Sequence, residues 1–374
     1  MNRISQISGE AWKHDPIYSQ FYHPTGFIMA AASQKLYEET VIPYAEEHKS
    51  EIKMLHTSTD WQSIAPSVFT GSFPGWQGAF RTQGAGWVYA RGAISAACLE
   101  AMKLGVKFVT GFPVGAVRSL IFAPFKDDIL GAVTEDNVSH LADLTILSAG
   151  AGSDALLDFK KQLRPAAWTL AHVPLSKEEA ESYRNLPVPY NAERGFFIEP
   201  NEETYEIKIC DEHPGYCNFI RSDSGEILRS QPFARKQIPL ESEKRIRQLL
   251  KDTMPQLADR AFSFARICWD ADTVDRIFLI DWHPELPSLV LACGGSGHGV
   301  NPMPAIGIVV ADLVEGKMEE RLHEMSKWRP EQAVHRNWFD LQGRHGADEK
   351  VMELKDVEGW TRIGEKEESR NVDG

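Results

Sequence analysis

The chain has 374 residues, 43% hydrophobic and 25% charged, which is the composition of a folded globular protein of two or three domains and excludes disordered or collagen-like chains. Acidic residues number 53 against 40 basic, a net charge of -13, so the molecule as a whole has no basic field for nucleic acid or an anionic membrane. A small ligand is the expectation.

Five cysteines, Cys98, Cys210, Cys217, Cys268 and Cys293, are odd in number and thinly spread, unlike the dense even frameworks of secreted domains, and point to a reducing compartment. The start, Met1-Asn2-Arg3-Ile4-Ser5-Gln6, has no apolar leader core, and no window approaches the roughly 18 apolar residues of a membrane span. The last residues, Asn371-Val372-Asp373-Gly374, are not a peroxisomal tripeptide. A cytoplasmic protein with no membrane partner is expected.

Along the chain, 87–104 places Val88, Ile94, Ala97, Cys98 and Met102 at helical spacings, and Gly105 stops this helix before the β-type run Val106-Lys107-Phe108-Val109. A strand at 144–147 leads into Gly150-Ala151-Gly152-Ser153-Asp154-Ala155. That run satisfies G-x-G-x-x-A, but a tight strand-to-helix turn that needs small residues explains it equally well. Strands are predicted at 195–198, 206–209, 277–280 and 289–292, and helices at 241–252 and 305–313. Leu289-Val290-Leu291-Ala292 is apolar without alternation, as in a strand covered on both faces. Glu206-Ile207-Lys208-Ile209 alternates and should turn Glu206 and Lys208 to an open face. The mixture is α/β or α+β, ending in a charged, frayed tail from Gly364.

Three groups carry possible chemistry. The glycine-rich run Gly294-Gly295-Ser296-Gly297-His298-Gly299 follows a buried strand and precedes a helix, a setting in which backbone N–H groups receive anions. Its register fits neither the dinucleotide fingerprint nor a nucleophile elbow at Ser296. Cys210, His213 and Cys217 form C-x2-H-x3-C without a fourth metal ligand, so no metal site is assigned. Lys208 and Glu212 put an ammonium and a carboxylate at the mouth of the alternating strand, either as a cleft pair or as a solvated one.

Several segments in order carry a resemblance: Arg194-Gly195-Phe196-Phe197-Ile198-Glu199-Pro200, Glu206-Ile207-Lys208-Ile209-Cys210-Asp211-Glu212-His213-Pro214-Gly215, Phe262-Ser263-Phe264-Ala265-Arg266-Ile267-Cys268-Trp269 and Gly295-Ser296-Gly297-His298-Gly299, joined by Gly84-Ala85-Gly86-Trp87 and Asn337-Trp338. Together, from about Ile7 to about Trp360, the chain resembles the fungal fructosyl amino acid oxidases (amadoriases), within the sarcosine-oxidase-like FAD-dependent amine oxidases.

The resemblance implies a Rossmann-type FAD domain interleaved with a mixed-sheet substrate domain: 78–158 and 266–330 for FAD, 1–77 and 159–265 for substrate and connection, and 331–374 as a C-terminal extension. It implies FAD tethered covalently at Cys268, Lys208 as the cation that activates O2, Glu212 and Arg344 as substrate contacts, and the loop Gly294, Gly295, Ser296, Gly297, His298 and Gly299 beside the flavin. The implied partners are a small-molecule amine and O2, with H2O2 as product, in a monomer.

Two departures qualify the match. Asn301 stands where the family has a lysine for the substrate carboxylate, and an amide brings no charge. The strand, G-x-G-x-x-G turn and helix that hold the ADP half of FAD in the family have no counterpart ahead of the matching segments, so a truncated Rossmann domain with uncovered apolar edges is expected. Two alternatives follow: a catalytically silent homologue lacking the pyrophosphate site, and a sarcosine- or saccharopine-type amine oxidase.

Overall fold

The computed structural model describes residues 2–346 and 350–363. Side-chain alternation organises its largest element, a ten-stranded mixed sheet. The strand Arg164–Pro174 is its axis, pairing antiparallel with Phe264–Asp272 along one edge and with Glu206–Asp211 along the other. From Glu206–Asp211 the sheet continues through Gly195–Ile198, Val188–Asn191, Phe27–Ala31, Gln77–Arg81 and Ile52–Leu55. Ile207, Ile209, Phe197, Ala171, Val173 and Ala265 point to one face and are completely buried there with Trp61, Phe69 and the helix Leu240–Thr253. The predicted alternation at 206–209 is what the structure shows, and Lys208 lies on the other face.

A second, smaller body is built on three strands, Leu279–His283, Leu286–Cys293 and Thr145–Leu147, the last two parallel. Leu289 and Leu291 meet Phe159 and Leu163 on one side, while Val290 meets Ile280, Ala305 and Val309 on the other. The strand is covered on both faces, as its unbroken apolar run predicts. The helix Met303–Val314 forms the outer cover with the N-terminal helix Asn2–His14, and a three-stranded antiparallel sheet, Val117–Phe122, Ile129–Thr134 and Ser139–Leu141, flanks the other side.

Three expectations need correction. The helix predicted over 87–104 starts only at Ala90, because Trp87–Val88 pairs with Tyr22–His23 as a short strand. Gly86 permits this approach, since a Cβ there would stand 1.9 Å from the His23 carbonyl oxygen. The run 106–109 is not a strand: among the described residues no neighbour supplies its ladder bonds, and Val106, Phe108 and Val109 stay exposed. The strand predicted at 277–280 begins at Leu279, because Asp275 accepts the Ile277 N–H and holds 275–277 in a turn. Leu99, Leu104, Phe112, Phe125 and Leu141 are all exposed. The tail from Gly364 lies outside the described residues, among which no helix is long and apolar enough to cross a membrane.

Candidate active site

Strand register decides which side chains meet. In antiparallel pairs, opposed residues share a face, so Lys208 opposite His172 and Cys268 opposite Trp168 stand on the same side of the sheet, away from the apolar core. The same parity brings Cys210, Glu212, Asp270, Phe196 and Tyr190 to that side. These residues wall a cavity of about 310 Å³, closed by Arg276, Gly297 and the 343–345 turn with Arg344. Its volume is at the lower end of small-molecule sites. A more open groove of about 1050 Å³ around Asp154, Arg229 and Val334 holds none of the predicted site residues.

Behind the cavity wall lies a buried cluster of charges. Asp272, fully buried, accepts both Nη atoms of Arg344 and, at 3.2 Å, one of Arg164. Burial pushes the Asp272 carboxyl up, but hydrogen bonds from Arg344 and the charges of both arginines outweigh it, and it stays below the ordinary range. Arg344 also lies over the Trp168 ring, 4.6 Å from its centroid, and donates to the Ser296 carbonyl. Trp168 stacks in turn on His213, whose burial lowers it to about 4, and His213 contacts Thr169 beside the buried Asp211–Arg245 pair.

Two carboxyls in the cavity, Glu212 and Asp270, are held above the ordinary carboxylate range. Burial, then Asp211, pushes Glu212 up to about 8 against the pull of Arg344, Arg276 and the Tyr190 hydroxyl, so it is mostly neutral at pH 7. Burial and the neighbouring Asp272 push Asp270 up to about 6. A neutral Glu212 can both donate and accept a hydrogen bond.

Of the residues expected from sequence, Lys208, Cys268, Glu212, Arg344 and Gly297 line this one cavity. Gly294, Gly295, Ser296, His298 and Gly299 do not line it; they build the loop that carries Gly297. Ser296 is buried with its hydroxyl donating to the Gly294 carbonyl, so it offers no nucleophile. Asn301 is exposed and outside the lining, its carbonyl accepting from Trp12. Gly150–Gly152 forms a 3-10 turn before a four-residue helix, away from the cavity. Sequence reasoning missed Arg276, Asp270, Asp272, Tyr190 and Trp168. The signal was the run Asp270-Ala271-Asp272-Thr273-Val274-Asp275-Arg276, four charged residues in seven just after Cys268.

The residues present fit a flavin ring. Trp168 Nε1 and Arg276 Nε are buried N–H donors without partners at the cavity wall, suited to a ligand rich in acceptors. Gly297, at φ +87°, has no side chain where a Cβ would press to 3.1 Å from the Asp270 carboxylate, which keeps the loop backbone open to a ligand. Cys268 is an unpaired, half-buried thiol at the same wall.

Comparison with known proteins agrees with this geometry. The family model described as FAD dependent oxidoreductase matches residues 9–313. The fructosamine oxidase of Aspergillus fumigatus (Amadoriase II) superposes with a TM-score of 0.91 at 48% identity, over 97% of this chain and 84% of that one. The fructosyl amine:oxygen oxidoreductase (Amadoriase I) of the same fungus gives 0.91 at 49% identity, over 97% and 83%. The L-saccharopine oxidase of Schizosaccharomyces pombe is 26% identical over 339 residues, 86% of this chain and 78% of that protein.

Proposed function

The chain belongs to the FAD dependent oxidoreductase family, and from that premise we propose that it oxidises the C–N bond of a glycated or secondary amino acid with O2 as acceptor. The observation that carries this reading is the meeting of Lys208, Cys268 and Glu212 on one sheet face at one cavity. FAD, when bound, supplies the acceptor for the hydride leaving the substrate carbon and the place where O2 is reduced to H2O2.

The chain's own residues do the rest. Cys268 is the residue that would tether the cofactor covalently, and the loop 294–299 would border it. Lys208 is a cation on the Cys268 side of the cavity, where a fixed ammonium favours the negative charge that develops on oxygen as it is reduced. Glu212, neutral and joined to Tyr190, presents a donor and an acceptor to the hydroxyls of a sugar-derived substituent. Arg344 is held by Asp272 and shapes the wall beside the substrate. The 78–158 and 266–330 segments would form the cofactor side, and 1–77 with 159–265 the substrate side. Five unpaired thiols support a cytoplasmic setting.

The test is peroxide release from a fructosyl amino acid, read by a peroxidase-coupled assay, together with the flavin spectrum after acid precipitation. Peroxide and a yellow pellet are expected from the wild-type chain. Lys208→Met should slow reoxidation by O2 far more than reduction by substrate, and Cys268→Ala should leave any flavin extractable. A colourless protein that releases no peroxide overturns the reading.

A further inference from the structure

The open groove of about 1050 Å³ shares no residue with the cavity that holds Lys208 and Cys268. Leu156, Leu157, Ile220, Leu228 and Val334 give it apolar walls, and Leu228 and Val334 are 49% and 61% exposed. Five charged side chains line the same groove, and three of them are already paired: Lys160 with Asp158 at 2.7 Å, and Lys161 with Glu226 of the rim at 2.8 Å. The other two are Asp154 and Arg229. Among the described residues neither of their side chains has a hydrogen bond or an ion pair.

Both are set in place by local structure. Asp154 belongs to the run Gly150–Ala155, whose 3-10 turn leads into the four-residue helix Ser153–Leu156 at the groove wall. Arg229 lies on the hairpin strand Ile227–Ser230, opposite Ile220. The two attract without meeting, and Arg336, the next cation, is held by the carbonyls of Lys161, Gln162 and Asp272. Burial pushes the Asp154 carboxyl up to about 6 against the pull of Arg229, with Asp158 adding to the rise and Arg336 opposing it. It is therefore mostly ionised at pH 7. Cys293 behind it is a thiol that burial pushes up to about 12, and it carries no charge.

An acid and a guanidinium that line one space without touching leave room for one group of each sign. An amine alone would leave the guanidinium unmet, and a fatty carboxylate alone would leave the acid unmet. The volume is at the upper end of small-molecule sites and admits more than one amino-acid residue. We propose that this groove binds a short apolar peptide with free ends, its ammonium on Asp154, its carboxylate on Arg229 and its side chains against Leu157, Leu228 and Val334. The site is separate from the oxidase chemistry, and neither reading rests on the other.

The purified full chain is titrated with leucyl-leucine by calorimetry, beside the N-acetyl and carboxamide derivatives of the same peptide. Asp154→Asn should weaken the free peptide about five- to fiftyfold and the N-acetyl form less than about twofold. Arg229→Gln should act alike, with the carboxamide as the insensitive ligand. Glu212→Gln, in the cavity, should leave the free peptide unchanged. Because the ammonium needs an ionised Asp154, affinity should fall about tenfold from pH 7 to pH 5, and should stay level in Asp154→Asn. In the wild-type chain the peptide should slow amide hydrogen exchange in 153–158 and 227–230, a result independent of whether any variant folds. No binding at millimolar peptide, protection confined to 206–212, a loss in Glu212→Gln instead, or equal weakening of free and blocked peptides overturns the assignment. Peroxide release from a fructosyl amino acid is decided separately from each of these outcomes.

Discussion

Two helices of 14 residues, Ala90–Lys103 and Leu240–Thr253, are treated in opposite ways by the fold. The second is the more polar, yet it buries Ser242, Ile246, Leu249, Leu250, Asp252 and Thr253 against the large sheet. The first is rich in apolar and small residues and buries Ala93 alone, leaving Ile94, Leu99 and Met102 in solvent. Composition therefore does not decide burial here. A helix is buried where a second layer exists to receive its stripe, and among the described residues the helix Ala90–Lys103 and the following run 106–109 have none. The ten-stranded sheet is covered by a core on one face and walls the cavity on the other, and so is the part of the molecule in which sequence changes should matter most.

Four measurements can break or sharpen that contrast. The largest effect is expected at Asp272, where Asp272→Ala leaves the buried guanidiniums of Arg164 and Arg344 without their shared carboxylate. Removing one side of such a cluster costs about 3–5 kcal/mol, to be read from the urea midpoint; a loss under about 1 kcal/mol would mean water already reaches the cluster. Next, Leu249→Ala should cost about 2–5 kcal/mol, because Leu249 is completely buried and its loss leaves a cavity.

The third measurement concerns pH. Glu212 titrates near 8 in the folded chain against an ordinary 4.5, so between those values the folded protein keeps a proton that the unfolded chain has released. Its contribution to stability is complete below about 4.5 and lost as pH rises through about 8. Urea midpoints at pH 5, 7 and 9 should fall along that series, and Glu212→Gln should flatten the slope; an unchanged slope would place the titration elsewhere. The smallest effect is expected on the open side, where Leu99→Ser should change stability by no more than about 0.5 kcal/mol. The same change should lower the binding of a dye that reports exposed apolar surface. A cost comparable to that of Leu249→Ala would show that the exposed helix is packed after all.

Local pattern made much of this molecule legible. The alternation through Glu206-Ile207-Lys208-Ile209 and the unbroken run Leu289-Val290-Leu291-Ala292 set which faces are covered, because side chains alternate strictly along a strand. Lys208 and Glu212 stood out as a charge pair at the mouth of the alternating strand, and the resemblance added Cys268 as a candidate. What pattern could not supply was partnership. Val106-Lys107-Phe108-Val109 has the residues of a strand and is none, since a strand exists only with a neighbour to bond. Arg276 and Asp272 lie four residues apart, yet Asp272 is tied to Arg164 and Arg344 while Arg276 faces the cavity with carbonyls alone. Asn301, close to the glycine loop in sequence, lies outside the cavity, whereas Arg344, 76 positions after Cys268, lines it. Charge type and strand face are local properties of a chain. Which charge is neutralised, and which is left for a ligand, depends on distances between segments that only the folded sheet brings together.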